Sequence, residues 1–408
     1  MCEGDGMEEW KECKLGDITS LITKGTTPSM IGANFTTNGI KYIKSECILE
    51  NSRLLDSSKY TFISTETNER LKRSQIIEND ILFSMAGMFL GKTGIATKDD
   101  VPANTNQAVA IIRITPEKAD FKYVYYFLNQ KALITYINGI SGQSAQPNIN
   151  LQQISELNIK LPPLPTQQKI AAILSSLDDK IELNNKINTN LEQQAQALFK
   201  NWFVDFEPFG GKMPEGWKVG KLSDIAEIKT DTFKPEQNPD IQVEHYSLPA
   251  FDEKRYPTFE ISKELKSNKF IISNDEVLVS KLNPTVKRVW RPYCLTEKSI
   301  CSTEFIVYKP ISAELKDYLF SIVNSSEFND FMCSNVTGST NSHQRTPPKT
   351  TLNYEIPIPT KDILHKFCNI VTPMYDKIQE NIIQNETVSS LRDTLLPKLM
   401  NGEIEVGI

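Results

Sequence analysis

The sequence predicts an α+β protein in which two strand-rich globules of related fold are joined by two long helices that pack on each other. Three observations predict it. The chain repeats itself in three places and in the same order, each copy ends in a proline-rich junction, and a long helical pattern with an apolar seam follows each junction. At 408 residues the chain is also too long for one ordinary core.

The internal repeat has three parts. EEWKECKLGDI is echoed by EGWKVGKLSDI, and IIENDILFS is echoed, with one extra residue, by IISNDEVLVS. Each of the second pair predicts a turn entering a strand. In the third part a constant offset of 197 aligns a long stretch without gaps, so that Asp179, Asn184 and Asn188 correspond to Asp376, Asn381 and Asn385. The chain therefore consists of two copies of one plan, a globule followed by a helix.

Prolines mark the end of each globule. LPPLPT before Gln167 and IPIPT at residues 356–360 are not expected to be helical, because proline removes a donor and restricts the residue before it. We therefore expect a first globule over residues 1–161, a first helical region over 162–210, a second globule over 211–356 and a second helical region over 357–408.

The first helix is expected from Gln167 to about Phe206, with apolar residues in the four-three rhythm of a coiled-coil seam. Paired asparagines in such a seam fix register, so the recurring pairs predict contact between the two helices through Asn184, Asn188, Asn381 and Asn385. Pro373 is expected to kink the second helix or to start it anew. The alternative is two ordinary amphipathic helices on separate domains, with the asparagines at exposed edges.

The end of the first helix, FKNWFVDFEPF, is rich in aromatic residues: Phe199, Trp202, Phe203 and Phe206. Two interpretations are open. These rings plug the junction with the second globule, or they form an exposed docking surface for another subunit.

Composition and charge argue against several classes of function. A formal net charge of −6 argues against a protein that coats nucleic acid by bulk attraction, although it leaves room for local basic faces. Seven scattered cysteines without a C-x-x-C pair, and only three histidines, give no expectation of a metal site or other cofactor. The acidic start, MCEGDGMEEWKEC, lacks the features of a signal peptide, and no apolar stretch is long enough for a membrane helix, so we expect a cytoplasmic protein.

The region from LPPLPTQQKI to QALFKNWFVDF resembles the central conserved region of Type I restriction-modification specificity subunits, and SSLRDTLLPKLMNGEIEV resembles the distal one. The two W-K-x-x-K-L-x-D-I repeats resemble the openings of the family's target-recognition domains. The resemblance covers nearly the whole chain. It implies two target-recognition domains related by a pseudo-twofold, joined by an antiparallel coiled coil, with each domain reading one half of a split, asymmetric sequence in double-stranded DNA.

The resemblance also implies partners. The helices would set the unread spacer and bind two modification subunits, which methylate adenine with S-adenosylmethionine, and two translocase-nuclease subunits would complete a restriction enzyme. The chain itself would be non-catalytic and would bind no cofactor.

Two acid-free stretches in the second globule are candidate DNA contacts, because arginine and lysine bind phosphates and arginine reads guanine. KLNPTVKRVWRP offers Lys281, Asn283, Lys287, Arg288 and Arg291, with Trp290 expected in the core. TGSTNSHQRTPPKT offers His343, Gln344, Arg345 and Lys349.

In the first globule, SGQSAQPNINLQQ is the counterpart of the second acid-free loop. Its amides could read adenine, which needs a paired donor and acceptor. The candidates are Gln143, Gln146 and Asn148, and weaker phosphate candidates are Lys24, Arg70, Lys72, Arg73 and Lys92.

One stretch of the first globule also resembles an enzyme motif. AGMFLGKT fits a loose phosphate-loop pattern, but TGIATKDDVP follows it where that chemistry needs a helix, so a hairpin turn is expected. Neither a glycine-rich cofactor loop nor an Asn/Asp-Pro-Pro-Tyr/Phe motif supports a methyltransferase. The alternatives to a DNA-binding subunit are a coiled-coil scaffold with lectin-like or peptide-binding globules, and a nucleotide-dependent enzyme.

Overall fold

The computed structural model describes residues 10–140, 147–338 and 344–406. The chain divides into two compact units. Unit 1 comprises Met1–Lys180 together with Val388–Ile408, and unit 2 comprises Ile181–Thr387. Unit 1 thus combines both ends of the chain, whereas unit 2 is one continuous segment.

The first part of unit 1 combines short strands with short helices and leads into a long helix. Its elements are β1 (Lys11–Lys14), β2 (Thr19–Lys24), β3 (Ile40–Ile43), β4 (Thr61–Ile63), α1 (Thr65–Arg70), β5 (Ile81–Ser84), β6 (Thr93–Ile95), β7 (Ala103–Thr105), β8 (Val109–Ile114), α2 (Phe121–Leu128), α3 (Lys131–Ile140), α4 (Leu151–Ser155), β9 (Asn158–Leu161) and α5 (Leu164–Phe203).

Unit 2 holds the end of α5 and most of a second long helix. Its further elements are β10 (Lys218–Lys221), β11 (Ala226–Lys229), β12 (Thr232–Phe233), β13 (Gln242–Tyr246), α6 (Leu248–Lys254), β14 (Thr258–Ile261), β15 (Lys269–Ile271), β16 (Val277–Ser280), β17 (Val289–Trp290), β18 (Ser299–Ser302), β19 (Phe305–Pro310), α7 (Lys316–Val323), α8 (Ser326–Ser334), α9 (Pro348–Thr351), β20 (Glu355–Ile358) and α10 (Lys361–Met400).

The sheets of the two units follow the same plan. In unit 1 the orders are β1-β9, β2-β8-β5-β6 and β4-β3-β7, with β3 and β7 parallel. In unit 2 they are β10-β20, β11-β19-β16-β17 and β12-β15-β18-β13-β14, with β13 and β18 parallel. Unit 2 extends the last sheet by two strands. The two globules therefore share one topology, as the repeat predicts.

Equivalent backbone hydrogen bonds show how the repeats align. Ile76 N donates to Ala103 O at 2.9 Å, and Ile272 N donates to Ser299 O at 3.1 Å. Both partners are shifted by the same 196 residues. The alignment of IIENDILFS with IISNDEVLVS by one extra residue is therefore wrong. At the constant offset of 196, the buried Asp80 corresponds to the buried Glu276 and not to Asp275.

Each globule opens with the same local structure. β1 pairs with β9, and β10 pairs with β20, both antiparallel. A 3₁₀ turn follows, in which Lys14 N donates to Asp17 Oδ2 at 3.0 Å and Lys221 N donates to Asp224 Oδ2 at 2.8 Å. The leucine between them is fully buried in both copies. The repeated K-L-x-D pattern thus has a structural cause, a carboxylate that caps the turn.

The two long helices are continuous over 40 residues each. α5 begins at Leu164, slightly before the predicted start, because Pro165 lies in the first turn, where no intrahelical donor is needed. α10 runs through Pro373, so the expected restart there is wrong. Pro373 and Asn369, whose carbonyl loses its donor, are both exposed, which lets water satisfy that carbonyl.

The helices contact each other within both units. In unit 2, Asn184 Nδ2 donates to Asn385 Oδ1 at 2.8 Å, and Asn381 Nδ2 donates to Asn188 Oδ1 at 2.8 Å. The partner number falls as the number in α5 rises, so the helices are antiparallel. In unit 1, Arg392 of α10 pairs with Asp178 of α5 at 2.7 Å.

Each unit has its own apolar core. In unit 1, side chains of the four-stranded sheet and α2 pack with both long helices around Phe83, Tyr123 and Leu174. In unit 2, the same layers meet around Tyr308, Tyr318 and Phe367. Trp290 is buried in a second cluster of unit 2, as expected. The cores hold the edges and turns of the four-stranded sheets in place.

Candidate nucleic-acid interface

In unit 2 the two acid-free stretches form one site. Asn283 N donates to Gln344 O at 2.9 Å, and Thr346 N donates to Lys281 O at 3.1 Å. Between these bonds, Leu282 and Arg345 form an antiparallel bridge. Residues 344–346 therefore pair, like a short strand, with the turn between β16 and β17. We call this arrangement the turn–loop site of unit 2.

Unit 1 contains the equivalent turn–loop site between β5 and β6. Gly87 N donates to Pro147 O at 3.0 Å, and Ile149 N donates to Met85 O at 3.0 Å. The bridge between them joins Ala86 and Asn148. Asn148 thus occupies the position that Arg345 has in unit 2.

The turn of each site needs one residue in the left-handed backbone region. Gly87 has φ 69° in unit 1, and Asn283 has φ 47° in unit 2. Glycine and asparagine are the residues that adopt this conformation at least cost. The backbone N–H of the same residue then points at the loop strand, so the turn residue positions the loop.

Arg345 is held by a carboxylate. Its Nε and Nη2 atoms donate to the two carboxylate oxygens of Glu304, both at 3.0 Å. The hydrogen bonds from Arg345 lower the pKa of Glu304. Such two-point contacts fix the plane of a guanidinium, so Glu304 orients Arg345. In unit 1 the residue equivalent to Glu304 is Ala108.

Side chains of the basic stretch beside the site contact other segments of unit 2. Arg288 donates to both carboxylate oxygens of Asp252, at 2.6 and 2.8 Å. Lys287 Nζ donates to a backbone carbonyl, that of Asn324, at 2.9 Å, and burial lowers its pKa. Lys281 is half-buried, and its backbone N–H donates to Glu304 O. A stretch that is acid-free in sequence is therefore not a uniformly basic surface.

Arg291 lies in a different environment from the one expected for a DNA contact. Its side chain is only 11% exposed. Nε donates to Asp317 Oδ1 at 2.8 Å, and Nη2 donates to Asp376 Oδ1 at 2.9 Å. The structure thus places Arg291 between the globule and α10 within unit 2, in a structural ion-pair network.

Three weaker candidates of unit 1 come together after β2. Arg70 Nη2 donates to Ile31 O at 2.6 Å, and Arg73 Nη2 donates to Lys24 O at 3.3 Å. Both arginines are exposed, as is Lys72 beside them. They form an exposed basic cluster around residues 24–31.

The remaining candidates are spread over several positions. Lys92 pairs with Glu50 at 2.9 Å and lies 5.2 Å from the centre of the Phe89 ring. Lys349 is exposed on α9, and Gln344 contributes its carbonyl to the turn–loop site. Outside the described residues lie Gln143, Gln146 and His343.

The phosphate-loop string has the geometry of a hairpin. β5 and β6 pair antiparallel, with Leu82 opposite Gly94 and Phe83 opposite Thr93. Lys92 leads directly into β6, and after β6 the chain forms a turn and enters β7, so the end of the motif runs into a strand where a phosphate loop needs a helix. The predicted hairpin is confirmed.

The aromatic end of α5 packs inside unit 2. Phe199 and Phe203 are 5% and 2% exposed, and Trp202 and Phe206 are partly buried against the same core. Phe203 lies 4.9 Å from the Phe367 ring centre. The exposure that a docking surface needs is missing for the two phenylalanines, and the structure agrees with the plug interpretation.

Neither a metal ligand set nor a membrane span is found in the described part of the chain. Over residues 10–140, 147–338 and 344–406, no three His, Cys, Asp or Glu side chains are grouped as metal ligands. Within the same ranges, none of the helices has the length and apolarity to cross a bilayer.

Sequence reasoning missed the carboxylates that organise these sites. Asp252, Glu304, Asp317 and Asp376 each bind an arginine of the basic stretch or its neighbouring loop, and each lies far from it in sequence. The offset of 196 equates Glu304 with Ala108 and so marks Glu304 as a difference between the copies. This difference between the copies is the signal in the sequence that points to Glu304.

The fold defines a chain with two globules of one topology, each of which carries an equivalent turn–loop site. A family model described as the Type I restriction modification DNA specificity domain matches twice, over residues 7–193 and 214–386. The chain therefore belongs to the Type I restriction-modification DNA specificity family, which confirms the family predicted from the residues.

Similar proteins span nearly the whole chain. The MjaIX specificity subunit of Methanocaldococcus jannaschii is 28% identical, covering 98% of this chain and 94% of that protein. The HindI specificity subunit of Haemophilus influenzae is 24% identical, covering 98% and 100%. The crystal structure of a Type I restriction-modification S subunit from M. genitalium has a TM-score of 0.58 at 16% identity over 97% of both chains, which shows a shared fold.

Proposed function

We propose that each unit reads one half of a split, asymmetric sequence in double-stranded DNA, and that the chain performs no catalysis of its own. The observation that carries this proposal is the presence of two equivalent turn–loop sites with different side chains, one in each unit. Equivalent placement supports equivalent roles. Different side chains support an asymmetric target.

Within the sites, Asn148 and Arg345 are the proposed base-reading residues. An asparagine amide matches the donor and acceptor of adenine in the major groove, and a guanidinium matches the two acceptors of guanine. The exposed side chains of Arg70, Lys72 and Arg73, the half-buried Lys24 beside them and the exposed Lys349 would contact phosphates. Arg291 is not a proposed DNA contact, because its side chain is 11% exposed and two carboxylates bind it. The side chain of Arg345 is 41% exposed.

Family membership supports a proposal for the partners. We propose that the chain assembles with two modification subunits and with two translocase-nuclease subunits, and that it directs their chemistry to DNA. Adenine methylation by the modification subunits would use S-adenosylmethionine bound outside this chain.

The test is footprinting and binding selection with the purified chain assembled with its modification subunits. We expect protection of two short motifs at a fixed separation. Arg345→Ala should relax base preference in one motif, and Asn148→Ala in the other, by about 1–3 kcal/mol of discrimination. Lys366→Ala, which removes an exposed charge from α10, is the matched control.

Two results would contradict the proposal. One is an assembled complex that protects no specific sequence. The other is an equal loss at both motifs from a substitution in one unit, because modular reading requires that each unit affects its own half alone.

A further inference from the structure

An aspartate at the same position of each long helix binds an arginine of its own globule. Asp179 of α5 and Asp376 of α10 are equivalent at the offset of 197. Asp179 pairs with Arg53 within unit 1, and Asp376 pairs with Arg291 within unit 2. Each pair thus joins a globule to the helix that follows it in the chain.

In unit 2 one guanidinium contacts two helices. Arg291 follows β17 directly, and it donates to Asp317 of α7 at 2.8 Å, to Asp376 of α10 at 2.9 Å and to Gln379 of α10 at 3.1 Å. Thr372 of α10 donates to the second oxygen of Asp317 at 2.6 Å. The edge of the four-stranded sheet is therefore tied to α10 by directional bonds.

In unit 1 the arginine comes from a different place in the sequence. The residue equivalent to Arg291 is Ile95, and Ile95 N donates to Arg53 O at 2.8 Å. Arg53 therefore lies on the backbone segment beside Ile95, and its side chain pairs with Asp179, the equivalent of Asp376. The two copies keep the ion pair without keeping the position of the arginine, so the pair itself, rather than the duplicated sequence, is what they share.

We propose that Arg53–Asp179 and Arg291–Asp376 are positioning pairs that set the orientation of each reading globule on its helix, and thereby the separation of DNA half-sites that the protein accepts. This rests on the proposed function. The four residues do not contact DNA in this scheme. They act through the globule that they hold, by restricting how it turns against the helix.

The aspartates offer a clean perturbation. Asp179 is 62% exposed and Asp376 is 53% exposed, so replacing either by asparagine removes a largely exposed negative charge. Arg291 keeps its contact with Asp317 in Asp376→Asn. The matched control is Glu380→Gln, which also removes one negative charge from α10 but breaks only an intrahelical pair with Lys377.

The experiment uses the chain assembled with its modification subunits and a set of duplexes. These carry both half-sites at the selected separation, one base pair shorter and one base pair longer. We expect Asp179→Asn and Asp376→Asn each to reduce discrimination against the altered separations about two- to fivefold, with unchanged base preference within each half. Asp376→Glu keeps the carboxylate and should keep the wild-type discrimination, as should Glu380→Gln.

Several outcomes would overturn the positioning role. Unchanged spacing discrimination in both asparagine variants would do so, provided that their urea midpoints match the wild type. A changed base preference, or an equal effect of Glu380→Gln, would also count against it. A wild-type complex without any split target would instead contradict the proposed function, so the two failures are distinguishable.

Discussion

The seam asparagines of unit 2 allow a quantitative test. Asn188 and Asn381 are 8% and 2% exposed, and they are joined by a 2.8 Å hydrogen bond. Replacing either by alanine leaves a buried polar partner, which costs about 1–3 kcal/mol in the free energy of unfolding. Replacing both by leucine removes both polar groups, and such exchanges are close to neutral or stabilising.

The assay is urea unfolding followed by tryptophan fluorescence. Three of the four tryptophans, Trp202, Trp217 and Trp290, lie in unit 2, so fluorescence reports mainly on that unit. The control is Asn190→Ala on the exposed side of α5. We expect the two alanine variants to couple by about 1 kcal/mol in a double-mutant cycle. Strictly additive losses, or a leucine pair as destabilised as the single alanines, would refute this reasoning.

Three further predictions concern single side chains. Burial lowers the pKa of His245, so the unfolded state binds the proton first as the pH falls below about 6.5 and the stability of unit 2 declines there. His245→Asn should flatten the change in urea midpoint between pH 7.5 and 5.5, whereas exposed His365→Asn should keep it; equal wild-type midpoints would contradict this. Phe203→Ala should cost about 3–5 kcal/mol and exposed Val204→Ala less than about 0.5 in the same unfolding assay, and similar losses would be evidence against the plug. Lys92→Ala should leave any ATP hydrolysis by the purified chain unchanged, and its abolition would revive the nucleotide-dependent alternative.

Much of the fold could be predicted because the sequence contains two copies of the same unit. Both copies carry the K-L-x-D turn, the turn before β5 or β16, and the helical seam, and each is a local pattern with a local cause. The hydrogen-bonded contact of Asn184 with Asn385 lies 201 residues apart in sequence, yet the repeated spacing pointed to it. Long-range contacts were readable where the repeat doubled the signal.

The electrostatics of the candidate site were less predictable. The carboxylates that bind Arg291 are 26 and 85 residues away from it, and no local spacing indicates them. An acid-free stretch therefore looked more basic than the folded surface is. The continuity of α10 through Pro373 was also missed, because tertiary packing of Val371 and Tyr375 outweighs the local cost of a proline.

The composition of unit 1 from both ends of the chain has a consequence for synthesis. Asp178 is buried, and its countercharge, Arg392, is made only after every residue of unit 2. Leu174 likewise packs in a cluster with Leu396 and Leu399. A ribosome-bound chain that ends before residue 388 has every residue of unit 2 but lacks the strip of helix that closes the earlier globule. The globule of unit 1 is therefore translated before unit 2 but completed after it. While unit 2 is being synthesised, the apolar side chains around Leu174 lack their α10 contacts and Asp178 lacks its arginine.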